Sequence, residues 1–277
     1  MALLNKLKLS IVLSTQQARF EAVAFKGDFE NNIAKIAGWG YDGVELAIRD
    51  PDLINIDTLE RVLSGHGLKL PAIGTGQAWG EERLSFTNPD KEVRNAAVRR
   101  IKHQIQLAHQ FNALVIIGLI RGVTPTGQTK VQSMRFLEEC LQDCLETASE
   151  LRVYLALEPL NRYETDLINT TTDGLELINQ IRSPNLGLLL DTFHMNIEEA
   201  SIEDSIRMCG KNIIHFHIVD SNRKYPSAGH LDFVAILNTL ASTGYTGWVS
   251  GEFLPYPDPD SAAQRSIIYL RNISRSL

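Results

Sequence analysis

The chain has 277 residues, a formal net charge of −6, 44% hydrophobic and 22% charged residues. That length suits a single α/β barrel of about 250 residues, and the longest apolar run, Ala113–Ile120, falls far short of the roughly 20 residues of a membrane helix. The mild acidity argues against a nucleic-acid partner, whose phosphates need a concentrated basic surface.

The N-terminus carries a few lysines but no small-residue cleavage site behind an apolar core, so no signal peptide is expected and the chain reads as cytoplasmic. A short aliphatic run, Lys8–Leu13, then opens a pattern that recurs along the chain at Gly43–Ile48, Lys69–Ile73, Ala113–Leu119, Val153–Leu157, Leu186–Leu190, Ile213–Val219 and Trp248–Phe253. Between these runs lie segments with helical spacing: Asn32–Ala37, Ile54–Leu63, Glu92–Phe111, Gln132–Leu151, Thr172–Ile181, Ile202–Cys209, Phe233–Leu240 and Ala262–Leu270. Alternating strand and helix signals mean βαβ units around a parallel sheet. Right-handed crossovers repeated eight times close into a (β/α)8 barrel, expected here as one domain over residues 1–277. An open doubly wound sheet is disfavoured because no Gly-rich dinucleotide turn follows the first strand.

Punctuation supports these boundaries. Asp57 and Glu60 have capping-box spacing, and Asn88-Pro-Asp90 reads as a cap followed by proline at the first helical position. Gly74-Thr-Gly76 reads as a tight turn with no helix directly behind it, hence a weak phosphate loop. Cys140 and Cys144 lie four apart on one helix and read as buried small apolar residues, since three cysteines cannot form a disulfide framework. The connections Ser14–Asp28, Thr75–Asp90 and Asp220–Leu231 are long and carry Phe20, Phe25, Trp79, Phe86 and Tyr225. On a barrel they belong to the C-terminal face, where loops shape the site.

Period-two alternation in the last four strands points to chemistry. Val153, Leu155 and Leu157 leave Tyr154, Ala156 and Glu158 on the other face; Leu188 and Leu190 oppose Gly187, Leu189 and Asp191. Ile214, Phe216 and Ile218 oppose Ile213, His215 and His217, and Val249, Gly251 and Phe253 oppose Trp248, Ser250 and Glu252. The more uniformly apolar faces belong against the helices, so Glu158, Asp191, His217 and Glu252 converge on the barrel mouth. Three unpartnered carboxylates there would repel and take up protons. One divalent cation per subunit removes the difficulty, and an oxygen-rich set with one imidazole suits Mn²⁺, Mg²⁺ or Co²⁺. His215 lies one layer deeper and reads as a packed, hydrogen-bonded histidine. His66, His103, His109 and His230 have no partner at ligand spacing.

The runs Glu158-Pro-Leu-Asn-Arg-Tyr-Glu164, Asp191-Thr-Phe-His194, His215-Phe-His217 with Asn222-Arg223, and Gly251-Glu252-Phe253 resemble the ketose 3-epimerase branch of the xylose-isomerase-like barrels. Segments such as Ala24–Asp28, Ala47–Pro51, Ala72–Gln77, Ile116–Gly122 and Asp191–Glu199 resemble more closely the 5-keto-L-gluconate epimerases, barrel enzymes of inositol breakdown that yield D-tagaturonate. The resemblance implies a Mn²⁺-type centre on Glu158, Asp191, His217 and Glu252. It further implies acid/base roles for Glu158 and Glu252 across a cis-enediolate, and substrate contacts from Glu164, His194 and Arg223. Gln77 is a further substrate-binding candidate, and Arg49 and Arg121 could clasp a terminal carboxylate. Where hexulose epimerases often have Gly-Glu after the metal histidine, this chain reads Val219-Asp220. The competing activities are a ketohexose 3-epimerase and an aldose–ketose isomerase; a barrel endonuclease and a non-catalytic sugar sensor fit less well. By analogy the partner is a small keto sugar or keto-uronate, with self-association into a dimer or tetramer.

Overall fold

A computed structural model describes residues 7–276. Eight parallel strands run in chain order: β1 (Lys8–Ser14), β2 (Gly43–Ala47), β3 (Ala72–Gly74), β4 (Leu114–Ile117), β5 (Leu155–Leu157), β6 (Leu186–Asp191), β7 (Ile213–His217) and β8 (Trp248–Gly251). Each pairs with the next, and β8 returns to β1 through Lys8↔Trp248 to Ile11↔Gly251, so the sheet closes into the expected (β/α)8 barrel. A two-residue strand, Phe25–Lys26, lies on the end of β1. Among the described residues, no helix is long and apolar enough to cross a membrane.

The helices are α1 (Phe29–Gly38), α2 (Ile56–Gly65), α3 (Gly76–Glu82), α4 (Lys91–Phe111), α5 (Lys130–Leu151), α6 (Thr171–Ile181), α7 (Thr192–Glu198), α8 (Ile202–Cys209), α9 (Phe233–Ser242) and α10 (Pro259–Ser276). Two of them are not among the expected helices: α3 falls in the long connection Thr75–Asp90, and α7 between the sixth strand run and Ile202–Cys209. Both are seven residues long, too short to show a helical period. Thus a helix does start directly behind Gly74-Thr-Gly76, contrary to expectation.

Two cap assignments also move. The cap of α2 is Asn55, whose side chain accepts from the Thr58 amide at 2.8 Å, so Asp57 lies inside the helix. The cap of α4 is Asp90, which accepts from the Glu92 amide at 2.9 Å; Pro89 precedes the helix, and Asn88 caps the turn before it by accepting from the Asp90 amide. Helix α5 has a full capping box between Thr129 and Gln132.

The core has two layers. One apolar layer joins the outward strand residues, among them Leu155, Leu157, Leu188, Leu190, Phe216 and Val249, to the helices around them, with Cys140 and Cys144 buried in it. The other fills the barrel floor with Ala72, Ile116, Ala156 and Leu189, flanked by Leu114 and Ile214. Ile214 departs from simple alternation. The register slips between Leu188↔Ile213 and Leu189↔His215, so Ile213 joins the outer layer while Ile214 and His215 both turn inward. Gly187 makes room for this irregularity, since a Cβ there would meet Ile214 Cγ2 at 2.6 Å.

Candidate active site

Polar residues end four consecutive strands at one mouth. Asp191 and His217 are the last residues of β6 and β7, and Glu158 and Glu252 immediately follow β5 and β8. One donor atom from each lies within 4.8 Å of the other three, close to the roughly 4–4.5 Å that separates opposite ligands on one divalent ion. His217 Nδ1 is at the middle, 3.5 Å from Asp191 Oδ2, 3.9 Å from Glu158 Oε1 and 4.0 Å from Glu252 Oε2. Gly118 at the end of β4 leaves space for Glu158, because a Cβ there would stand 2.8 Å from its Oε2.

The electrostatics of this cluster ask for a cation. Burial pushes the Glu158 carboxyl well above the usual carboxylate range, helped by repulsion from Glu252 and Asp191 and opposed by His217. Burial also lifts Glu252, to about 7, against the attraction of His217 and Arg223. Burial disfavours the charged form of His217, yet Glu45, Asp191 and Glu252 outweigh it and hold the imidazole well above its ordinary value. Glu158 Oε1 and His217 Nδ1 are buried without a hydrogen-bond partner. Unsatisfied buried donors and acceptors are costly, and a divalent ion bound by Glu158, Asp191, His217 and Glu252 satisfies both atoms. The donor set therefore fits the implied metal.

A cavity of about 360 Å³ opens over the cluster, a size suited to a small metabolite. It is bordered by Glu158, Glu164, His194, His217, Arg223 and Glu252, by Gln77 and Trp79 of α3, and by Phe20 of the first long loop. His194 is 2% exposed. Its Nδ1 accepts from the Asn161 amide at 3.2 Å and lies 2.7 Å from Asn161 Nδ2. With Nδ1 an acceptor, the ring proton sits on Nε2, which has no partner and lies 4.0 Å from Glu158 Oε1. Arg223 lies between the rings of Phe20 and Phe193, with centroids at 5.1 and 4.7 Å, and donates to Glu164 Oε1 at 2.6 Å. Gln77 Nε2 donates to Ser14 Oγ at 2.7 Å.

Asp220 organises the loop that carries Arg223. Its side chain is fully buried and accepts from the amides of Ser221, Ser227 and Leu231, while its carbonyl accepts from the Arg223 amide at 2.8 Å. The Val219-Asp220 departure is thus a loop anchor, and Asp220 does not border the cavity.

Two arginines do not take the expected place. Arg49 stands outside the cavity lining and pairs with Glu82 at 3.4 Å, drawn into a rim network with Asp50 and Arg100. Arg121 is also absent from the lining. It is fully buried and donates through Nη2 to the Glu158 carbonyl, so it braces the backbone just past β5. The guanidinium groups that do border the cavity, besides Arg223, are Arg19 and Arg83, both exposed on the rim. Arg19 pairs with Glu81 at 3.4 Å, and Arg83 lies 5.5 Å from the Trp79 ring centroid. Nothing in their local sequence distinguishes them from other loop arginines. Glu45 and Asn161 were likewise missed. The signal for Glu45 was available, as a lone charge inside the apolar strand Gly43–Ala47.

A model of the family described as xylose isomerase-like TIM barrel matches residues 33–273. The chain is 32% identical to the D-psicose 3-epimerase of Ruminiclostridium cellulolyticum over 81% of this chain and 78% of that protein. It is 30% identical to the L-ribulose 3-epimerase of Mesorhizobium japonicum over 92% of this chain and 85% of the relative. A solved structure of D-psicose 3-epimerase with D-tagatose from Clostridium cellulolyticum H10 matches with a TM-score of 0.80 at 25% identity, covering 96% of this chain and 99% of that one.

Proposed function

The chain belongs to the xylose isomerase-like TIM barrel family, and we propose that it is a divalent-metal-dependent carbohydrate epimerase acting beside the carbonyl of a keto sugar acid. The substrate pair in this reading is 5-keto-L-gluconate and D-tagaturonate, in inositol catabolism. The observation that carries the reading is the buried cluster of Glu158, Asp191, His217 and Glu252 beneath one small cavity.

Bound by those four residues, Mn²⁺ or a similar ion supplies Lewis acidity that polarises the ketone and stabilises negative charge developing beside it. Glu158 and Glu252 come from strands separated by β6 and β7, and both border the cavity. One carboxylate removes the proton from the carbon next to the carbonyl; the other delivers a proton to the opposite face of the flattened enediolate, inverting the centre. A single base would return the proton to the face it left. Each carboxyl can take up or release a proton, so the two exchange roles in the reverse direction. His194 Nε2–H and the paired Arg223 and Glu164 offer donors and an acceptor to the sugar hydroxyls. Arg19 and Arg83 on the rim support an acidic substrate, since guanidinium forks match carboxylates. A cytoplasmic setting, compatible with three buried free thiols, and self-association, by analogy with related barrels, complete this reading.

A ketohexose 3-epimerase is the second reading, supported by the relatives named for psicose and ribulose. Proton NMR in D₂O on the Mn²⁺-loaded protein, with 5-keto-L-gluconate and D-tagatose side by side, tests both. The expected result is faster conversion of the keto acid, with solvent deuterium entering at the carbon next to the carbonyl. Faster turnover of D-tagatose selects the ketohexose reading, and conversion without deuterium uptake replaces epimerisation by a hydride-shift isomerase. Glu158→Gln and Glu252→Gln should each lower turnover by about 10²–10⁴-fold; unimpaired turnover in either removes the two-carboxylate scheme.

A further inference from the structure

Glu45 is a buried charge to which the epimerase chemistry above gives no task. It stands in the middle of β2 and is 1% exposed. Its Oε2 lies 2.7 Å from His215 Nε2, and both of its oxygens lie 3.1 Å from His217 Nε2. Both histidines are buried as well, and β7 brings them to one side of the carboxylate.

The direction of these bonds follows from the donor inventory. An ionised carboxylate can only accept, so each imidazole facing it presents a proton on Nε2. For neutral His217 that leaves Nδ1 with a free lone pair. This nitrogen is the one without a hydrogen-bond partner, and it faces Asp191, Glu158 and Glu252 at 3.5, 3.9 and 4.0 Å. The opposite tautomer would aim an N–H at the ion's place and leave a bare lone pair against the Glu45 carboxylate.

We propose, on the basis of the metal-centre reading, that Glu45 is a positioning residue for the cation: it fixes the ring orientation and tautomer of His217 so that Nδ1 serves as the ligand. His215 is the second donor, which holds the Glu45 carboxylate in place from below. A carboxylate behind a ligating histidine orients the ring and raises its basicity, and its loss typically weakens metal binding by about 10–100-fold. The three groups Glu45, His215 and His217 also lie close enough to hold an ion by themselves. Their mutual distances are those of hydrogen bonds that already satisfy both Nε2 atoms, so the assignment is one ion per chain and not two.

Isothermal titration of the metal-free protein with Mn²⁺, beside melting curves of the metal-free variants, tests this. Glu45→Gln should keep the volume, remove the charge and weaken Mn²⁺ binding by about 10–100-fold at a stoichiometry of one. His215→Asn, which spares the Glu45–His217 contact, should weaken it less. A merely structural Glu45 would lower the melting temperature and leave the affinity within about threefold of the parent, and that result overturns the proposal while the parent's tight binding upholds the metal centre. A parent that binds no divalent ion overturns both, and two ions per parent chain overturn the assignment of Glu45. Should Glu45→Gln not fold, ¹⁵N-histidine NMR of the Mg²⁺-loaded parent decides the matter: the proton is expected on His217 Nε2, and a proton on Nδ1 sinks the idea.

Discussion

His194 shows how much of the site is decided behind the side chain that faces the cavity. The Asn161 amide and side-chain nitrogen both address Nδ1, so Nε2–H is left without a partner beside the cavity. Asn161→Ala is expected to free the ring to swap tautomers and to lower kcat/KM about 10–100-fold, the loss of one or two hydrogen bonds, with Mn²⁺ affinity unchanged by titration. The rim arginines act at the same scale. Arg83→Ala, and more so the double change with Arg19→Ala, should raise KM for a keto acid about tenfold or more, as loss of a charge-assisted bond does. KM for a neutral ketose should stay put in the same assay; a parallel rise for both would show that these arginines shape the rim without reading charge. The four cluster residues were legible because each breaks an apolar alternation at a strand end. Arg19 and Arg83 were not, because a loop has no period that tells which way its side chains point. Arg49 and Arg121 sit where strand counting puts them, but ion pairing and burial, respectively, keep them out of the cavity.

Element by element, the register between β6 and β7 is where local pattern and packing disagree. Strict alternation puts Ile213 inside; the slip beside Leu188 turns it outward and lets Ile214 share the barrel floor. His215 and His217 remain in phase, one layer apart, because the irregularity precedes both. Gly187 is the residue that tolerates this, and Gly187→Ala should destabilise the fold by about 1–3 kcal/mol through overpacking against Ile214. A denaturant titration measures it, and a change under about 0.5 kcal/mol would mean that β7 relaxes freely. The long loops follow the same logic of local anchoring. Asp220 collects three amides of its own loop, and Glu81 ties the first long connection to α3 through the Arg19 amide at 2.9 Å. Such bonds come from residues that look like ordinary loop polarity in the sequence.

For the whole molecule, closure of β8 on β1 brings Glu252 back beside Glu158, Asp191 and His217. Acids up to 94 positions apart in the chain, from Glu158 to Glu252, then share one space, and the fold bears their repulsion when no cation is bound. A cation that binds only the native arrangement must therefore stabilise it. At a free concentration about 100 times its Kd, Mn²⁺ should add about 2.7 kcal/mol, which for a chain of this size is a rise of roughly 5 °C in Tm. Chelation should reverse it. Scanning calorimetry across a Mn²⁺ series checks the expectation, and a Tm indifferent to Mn²⁺ would count against the centre.

By itself the sequence determined the barrel and the four polar strand ends, since both are written in local periods: two residues along a strand, and one strand and one helix per unit. The tertiary structure alone decided what stands behind those four. Glu45 reaches His215 and His217 across 170 and 172 positions of chain, and Asn161 reaches His194 across 33. Such contacts depend on register, closure and loop anchoring, none of which has a period that a single strand can display. The choice of rim arginines has the same cause, because a guanidinium on a loop is placed by whatever neighbour pairs with it first.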